Sequence, residues 1–421
     1  MKRRELLKYM GVAPLGAGLS ATALSALAAP VRPDQGNTYE GAVNTLSELA
    51  GNAAPKKDYI KELGMRSFIN AAGTYTAMTA SIMHPDVMEA INAVSKAYIM
   101  LDEVQDKVGA RLAEICHAES ATVTAGCWSA MVLGTAGVLT GMDPKKVAQL
   151  PDLTGMKNTV LVQKSHNSGY VHALKNTGVR IQEIETIEEL DAAVNADTAM
   201  LWFLNAHANL GKISYEEWVA AGKRHGIPTM IDIAADVPPV ENLWRFNDMG
   251  FDLVCISGGK ALRGPQSTGI LMGRKDLIAA ARLSAPPRGG TIGRGMKVNK
   301  EEIVGLLAAV ERYVATDHEK EWKMWEDQVA YIAATAKKRA GVETEVVVPP
   351  LANHTPTLNI RWDQRQVPVT PQQVQLALRN GNPSIEVLSN DKGISLTVFM
   401  LREGEYKMVA KRIQEELLAA K

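Results

Sequence analysis

Ser257-Gly258-Gly259-Lys260-Ala261-Leu262-Arg263-Gly264-Pro265-Gln266 is the stretch on which the fold turns. The apolar run Phe251-Asp252-Leu253-Val254-Cys255-Ile256 precedes it and Gly269-Ile270-Leu271-Met272-Gly273 follows. Both runs read as buried strands, which places Lys260 in a glycine-lined turn between two core strands. A lysine there is either an incidental residue of a surface hairpin or a nucleophilic amine. Burial lowers an amine pKa and frees its lone pair for Schiff-base chemistry.

The segment Ile227-Pro228-Thr229-Met230-Ile231-Asp232-Ile233-Ala234-Ala235-Asp236 bears on that choice. It reads as a short apolar strand with Asp232 at its end, 28 residues before Lys260. Pyridoxal phosphate needs both partners: an amine to hold its aldehyde carbon and a carboxylate facing its ring nitrogen. Asp232 alone would equally suit a helix cap or turn.

These residues resemble a known group. Ser257-Gly258-Gly259-Lys260 with Gly264-Pro265-Gln266, Asp232-Ile233-Ala234-Ala235 and Ile69-Asn70-Ala71-Ala72-Gly73-Thr74 resemble the selenocysteine synthase and D-glucosaminate-6-phosphate ammonia-lyase group of fold-type I pyridoxal-phosphate enzymes. Ile292-Gly293-Arg294-Gly295-Met296-Lys297 and the tail from Pro383-Ser384-Ile385-Glu386 to Glu405 are similar to the same group. The likeness runs in order over roughly residues 60 to 410.

The resemblance implies an α/β fold-type I transferase architecture. A large domain carries a mixed, mostly parallel sheet, and a small C-terminal α+β domain follows. It implies pyridoxal 5'-phosphate as cofactor, held by Lys260 with Asp232 at the ring nitrogen. It places the phosphate cup at Ala125, Gly126 and Cys127, where Val123-Thr124 enters a helix, with Ser257 as a further hydroxyl; helix N-termini suit anions. His166, after Val160-Leu161-Val162-Gln163, is implied to lie over the ring and to move protons. His207 and Asn209 are further candidates at the same edge. Arg263, Arg294 and Arg361 are candidates to hold a substrate carboxylate, as is Arg402, because a guanidinium matches a carboxylate bidentately. A site built between subunits would make the protein a homo-oligomer, a dimer or higher, with Arg294 or Lys297 serving a neighbour.

Lys260, once released from the cofactor, is the natural base for a substrate α-proton. Elimination, racemisation (or epimerisation) and amine transfer all branch from the resulting stabilised carbanion. The resemblance selects an ammonia-lyase-type elimination on an amino acid or amino-sugar acid. A non-catalytic exported binding protein is the reading of a different class, and it needs neither Lys260 nor Asp232.

The N-terminus reads as a targeting segment over residues 1–28. Arg3-Arg4-Glu5-Leu6-Leu7-Lys8 is a twin-arginine motif, followed by a Gly- and Ala-rich apolar stretch and Ala26-Leu27-Ala28 as a cleavage site. Leu, Ile and Val are too sparse in it for a stable membrane anchor. The twin-arginine machinery carries folded proteins, which suits a periplasmic enzyme loaded with cofactor before export. Basic and acidic residues balance at 46 each. The leader carries a net +3, from Lys2, Arg3, Arg4 and Lys8 against Glu5, which leaves −3 for the remainder. That lacks the basic footprint of a nucleic-acid partner. Cys116, Cys127 and Cys255 and the eight histidines show no metal spacing.

Residues 29–66 read as a linker and arm. Residues 67–310 read as the large cofactor-binding domain, and residues 311–421 as the small domain with its connecting helix. Expected strands are Ala121–Thr124, Thr159–Gln163, Ala199–Leu204, Pro228–Asp232, Leu253–Ser257 and Gly269–Met272. A single long helix is expected from Lys300 to roughly Lys338.

Overall fold

The computed structural model describes residues 57–419. The twin-arginine leader and most of the N-terminal arm lie outside the described residues. In the described part of the N-terminal unit, Tyr59–Glu62 form a short helix capped by Asp58, whose side chain accepts from the Lys61 amide. From Arg66 onward the chain forms one compact unit.

The large sheet follows from apolar runs long enough to be buried on both faces. Its strands are β2 (Ser120–Thr124), β3 (Thr159–Gln163), β4 (Arg180–Ile184), β5 (Thr198–Leu204), β6 (Thr229–Asp232), β7 (Leu253–Ser257) and β8 (Gly269–Gly273); β1 (Ile69–Asn70) lies elsewhere. The order is β2-β8-β7-β6-β5-β3-β4, so β6 is central. Strand β8 runs antiparallel to both neighbours, and the remaining pairs are parallel. Side chains alternate between two cores with the strand period of two. Leu253 and Cys255 of β7 join one core while Val254 and Ile256 join the other. The expected strands are present, and β4, a mostly polar edge strand, adds to them.

Helix α1 (Gly126–Thr140) follows β2 and is buried on nearly all sides, as its apolar sequence requires. After β8 the chain passes through α2 (Lys275–Leu283), α3 (Lys300–Val314) and α4 (His318–Ala336). The single helix expected from Lys300 is thus two. Asp317 adopts extended backbone, and its carboxylate accepts from the Lys320 amide, starting a new helix.

A second sheet, β12-β13-β10-β9, is antiparallel. It comprises β9 (Val342–Val347), β10 (Thr357–Trp362), β12 (Leu388–Ser389) and β13 (Gly393–Thr397). Leu358, Ile360, Ile394 and Leu396 pack with Trp325, Val329 and Ile332 of α4 in a third core. Strand β1 pairs in parallel with β11 (Ile385–Glu386), so the chain around residue 70 starts beside this smaller sheet.

One contact fixes how α1 meets the large sheet. Gly269, opening β8, lies directly against the first residues of α1. A Cβ there would stand 2.5 Å from the Gly126 carbonyl carbon and 2.6 Å from the Cys127 nitrogen. Backbone on backbone cannot give way cheaply, and overpacking of this kind costs about 1–3 kcal/mol. Gly269→Ala should therefore lower the urea midpoint by that energy, whereas Gly289→Ala, where a Cβ meets nothing within 4 Å, should leave it unchanged. Equal midpoints for the two variants would show that the approach is not tight.

Candidate active site

The turn carrying Lys260 is shaped by backbone-on-backbone contact. A Cβ on Gly259 would lie 2.4 Å from the Gln266 Cα, so only glycine lets the two limbs close. The Gly264 amide donates to the Gly258 carbonyl at 2.9 Å, and the Arg263 amide to the Lys260 carbonyl at 3.0 Å. The Ser81 hydroxyl clamps the turn by donating to the Gly259 carbonyl at 2.7 Å.

Lys260 lines a cavity of about 370 Å³ together with Asp232 and Asp236, a size typical of small-molecule sites. The cavity opens at the carboxyl ends of β5, β6 and β7, where ligands of open α/β sheets bind. Asp232 ends the central strand and is 3% exposed. Its Oδ1 accepts from the Ala234 amide at 2.9 Å and from the Cys127 Sγ at 3.4 Å. Burial raises its pKa, while those two hydrogen bonds and Lys260 oppose the rise. Burial also pushes the Cys127 thiol well above its ordinary range, so Cys127 acts as a neutral donor. A protonated ring nitrogen set against Asp232 would supply the opposite charge that a buried carboxylate needs.

The residues expected at the phosphate end come together. Ser257 pairs in register with Gly269, and Gly269 abuts Gly126 and Cys127 at the start of α1. Ala125 provides no side-chain cap, so the first amides of α1 are left for other acceptors. The Ser129 hydroxyl, in contrast, is tied to its own helix through the Ala125 carbonyl. A lysine and a carboxylate in one cavity, with a bare helix N-terminus beside the lysine turn, fit pyridoxal phosphate. Lys260 would hold its aldehyde carbon, Asp232 its ring nitrogen, and Gly126, Cys127 and Ser257 its phosphate.

Other expected residues lie elsewhere. His166 is fully buried and does not line the cavity. Its Nδ1 accepts from the Leu204 amide at 3.2 Å, which puts the proton on Nε2, and Nε2–H donates to the His207 carbonyl at 3.2 Å. Phe203 meets it edge-on at 4.4 Å. Burial lowers its pKa to about 4. With both nitrogens hydrogen-bonded to backbone, His166 fastens two loops. His207 is likewise occupied with the Ser165 carbonyl.

The arginines also fall outside the cavity lining. Arg263 donates to the Phe399 carbonyl and faces a separate small pocket with His84, Arg312 and Glu321. Arg294 is exposed on the loop before α3. Arg361 pairs with Glu345 at 2.7 Å on the neighbouring strand. Thr357 of the same strand does line the cavity, but Arg361 is four residues further on, about 13 Å away at strand rise. Arg402 pairs with Glu405.

Sequence reasoning gave no role to Asp236, which is 3% exposed. Its Oδ1 accepts from the Ala352 amide at 2.9 Å, and the Asn353 amide donates to the Ala235 carbonyl at 2.7 Å. These bonds hold Ala352 and Asn353 in left-handed backbone, at φ of 49° and 51°, a conformation uncommon outside glycine. Thr74 reaches the same loop, donating to Asn353 Oδ1 at 3.3 Å. The signal for Asp236 was a second acid on the Asp232 strand end, four residues on. The partner loop is over a hundred residues away, and nothing in its sequence marks it.

Burial raises the Asp236 pKa to about 6, against the hydrogen bonds from Ala352 and Asn205; Asp232 adds to the rise and Lys260 opposes it. The raised folded-state value means that the folded protein keeps a proton the unfolded chain has lost. The stability that Asp236 contributes is therefore present below about pH 4 and is lost as pH rises through about 6, on the order of 3 kcal/mol in all. Asn keeps an acceptor and cannot ionise. The melting temperature of Asp236→Asn relative to the parent should climb between pH 4 and 7 and then level; a difference constant across that range would show that Asp236 does not titrate there.

Comparison with known proteins agrees with this geometry. The aminotransferase class-V family model matches residues 85–306. D-glucosaminate-6-phosphate ammonia lyase of Salmonella typhimurium is 28% identical over 84% of this chain and 96% of its own length. The 5'-C-glycyluridine monooxygenase-decarboxylase of a Streptomyces species is 30% identical over 67% of this chain and 72% of its own. A solved structure of D-glucosaminate-6-phosphate ammonia-lyase superposes with a TM-score of 0.77 at 26% identity, covering 87% of this chain and 99% of that one. The chain belongs to the aminotransferase class-V family and is a fold-type I pyridoxal-phosphate enzyme.

Proposed function

We propose that this protein is an exported ammonia-lyase that eliminates the amino group of an amino acid or amino-sugar acid. The observation that carries the reading is the single cavity lined by Lys260, Asp232 and Asp236. Likeness to an ammonia-lyase over 96% of that relative's length supports the choice of elimination. Bound in the cavity, pyridoxal phosphate supplies the electron sink that stabilises a carbanion at the substrate α-carbon.

The chain's own residues do the rest. Lys260 Nζ takes the α-proton once its amine is free. Asp232, buried and tied in place by Ala234 and Cys127, keeps the ring nitrogen protonated. Asp236 holds a proton up to about pH 6, and a departing β-hydroxyl needs such a proton to leave as water; the enamine product, once Lys260 displaces it, tautomerises to an imine that water hydrolyses to the keto acid and ammonia. The loop around Ala352 and Asn353 and the segment Ala72–Thr76 line the cavity.

Export by the twin-arginine route rests on Arg3-Arg4 and the small residues Ala26-Leu27-Ala28. A homo-oligomer is supported by the exposed apolar residues Ile82, Met88, Tyr98 and Met100 along one stretch of chain.

Borohydride reduction of the purified protein, followed by peptide mass spectrometry, should place the cofactor on Lys260; an adduct on another lysine would refute the assignment. Asp232→Asn should retain cofactor yet lose turnover on the order of 10²-fold or more, and near-parental rates would remove Asp232 from the ring. In a screen of amino acids and amino-sugar acids in deuterated water, the right substrate should exchange its α-proton and release ammonia and a keto acid without an amine acceptor. Exchange with loss of optical rotation and no ammonia would mean a racemase, and a requirement for a keto-acid acceptor would mean an aminotransferase.

Arg3→Lys combined with Arg4→Lys should keep the enzyme in the cytoplasmic fraction. Undiminished periplasmic enzyme carrying both changes would rule out the route.

A further inference from the structure

The two walls of the cavity differ in chemistry. Lys260, Asp232 and Asp236 come from the large sheet and its loops. The facing residues that can hydrogen-bond come from β13 and the loops beside it: Thr74, Asn353, Thr355, Ser395 and Thr397, with Tyr170 alongside, set among the apolar Pro349, Leu388, Leu396 and Phe399. The polar ones are neutral, and each carries a hydroxyl or an amide.

This second wall is organised and still has hydrogen-bonding capacity. Thr74 donates to Asn353 Oδ1 at 3.3 Å, and the hydroxyls of Thr355 and Thr397 meet at 3.2 Å. Register holds the strands that carry them, with Thr357 opposite Thr397 and Asn359 opposite Ser395. The Thr355 hydroxyl also reaches the Asn353 carbonyl at 3.4 Å; a hydroxyl offers one donor and two acceptor positions, so these bonds leave acceptor capacity unused. Among the described residues, Asn353 Nδ2 and Ser395 Oγ make no hydrogen bond to the protein.

Charge points the same way. Among the described residues Lys260 is the only cationic side chain lining the cavity, and it is committed to the cofactor. A phosphate ester carries roughly −1.5 to −2 charge at neutral pH. Placed at this wall it would meet hydroxyls on one side and Asp232 and Asp236 on the other. Phosphate sites are built from arginine, lysine or free helix N-termini, and the bare N-terminus of α1 is already assigned to the cofactor.

We propose that the wall formed by Thr74, Asn353, Thr355, Ser395 and Thr397 selects an uncharged polyhydroxylated tail, which narrows the substrate to an unphosphorylated amino-sugar acid. This inference rests on the ammonia-lyase reading above. A short amino acid leaves the wall's polar groups without a ligand partner, and a phosphorylated sugar acid brings, beyond its carboxylate, a further negative charge to a wall to which this chain supplies no cation. Sites built to hydrogen-bond a hydroxyl reject analogues that lack it by large factors.

The test uses holoenzyme with D-glucosaminate, D-glucosaminate 6-phosphate and D-serine, measuring ammonia release and, independently, calorimetric affinity. D-glucosaminate should exceed each of the others by about 100-fold or more in kcat/KM, with the affinities in the same order. Ser395→Arg, which places a cation on the wall without touching Lys260, Asp232 or Asp236, should shift the preference towards the phosphate ester. Ammonia release that favours the phosphate ester or D-serine in the parent enzyme would overturn the selectivity while leaving the lyase reading intact. An unchanged preference in a folded Ser395→Arg enzyme would also overturn it, since the wall would then not face the tail. If none of the three releases ammonia, the lyase reading fails and this inference fails with it.

Discussion

A carboxylate buried at the end of the central strand is the constraint around which this molecule is arranged. An ionised group removed from water costs several kcal/mol even after relaxation unless a partner answers it. Asp232 has two neutral donors, from Ala234 and Cys127, on one oxygen. The amine of Lys260 is near enough to favour the charged form. Strand order does this work. Strand β7 lies beside β6 in the sheet, so a turn at the end of β7 must arrive next to the end of β6. The lysine and the aspartate are 28 residues apart in sequence and lie at the ends of adjacent strands, lining one cavity.

The second sheet and its loops supply the wall of the cavity that faces that pair. Strand β1 starts beside β11, and Asn70 then bends the chain by accepting from the Ala72 and Gly73 amides at 3.1 Å each. That bend carries Ala72 to Thr76 across the cavity. From the other direction, the loop before β10 is pinned to Ala235 and Asp236. Strained backbone at Ala352 and Asn353 persists because both amides find acceptors on the large sheet's loop. Backbone strain of this sort gathers at ligand sites, held by surrounding structure. Asp236 is thus a structural acceptor and a cavity-facing acid at once.

What the sequence made legible was the part of the site that lies on strand ends. Lys260 and Asp232 were readable because strand, turn and special residue are contiguous, and each has a chemical reason for its place. The glycine turn and the small-residue entry to α1 were readable for the same reason. The arginines were not, because a charged residue shows its partner only in space: Arg361 answers Glu345 across a strand pair, and Arg263 answers a carbonyl 136 residues away. An imidazole after a strand suits catalysis and loop fastening equally well, and the Leu204 amide on Nδ1 of His166 is visible only in the fold. The break between α3 and α4 turned on one aspartate cap within an otherwise continuous helical pattern.

The absence of the expected arginines from the cavity lining changes what the site asks of its ligand. An arginine would have fixed a carboxylate by a bidentate pair, strong and directional. Here the wall across from Lys260 instead offers many weak, neutral hydrogen bonds spread over two strands and two loops. Each is worth only about 0.5–1.5 kcal/mol net, so recognition requires a ligand that engages several at once. An extended polyol does so, with a hydroxyl on each carbon, and a compact amino acid does not. The geometry that brings Thr74, Asn353 and Thr397 to one surface is also the geometry that holds the loop on Asp236. A tail bound there would be coupled to the placement of the second carboxyl through the same few hydrogen bonds, because the loop that would hold it also donates from Ala352 to the Asp236 oxygen.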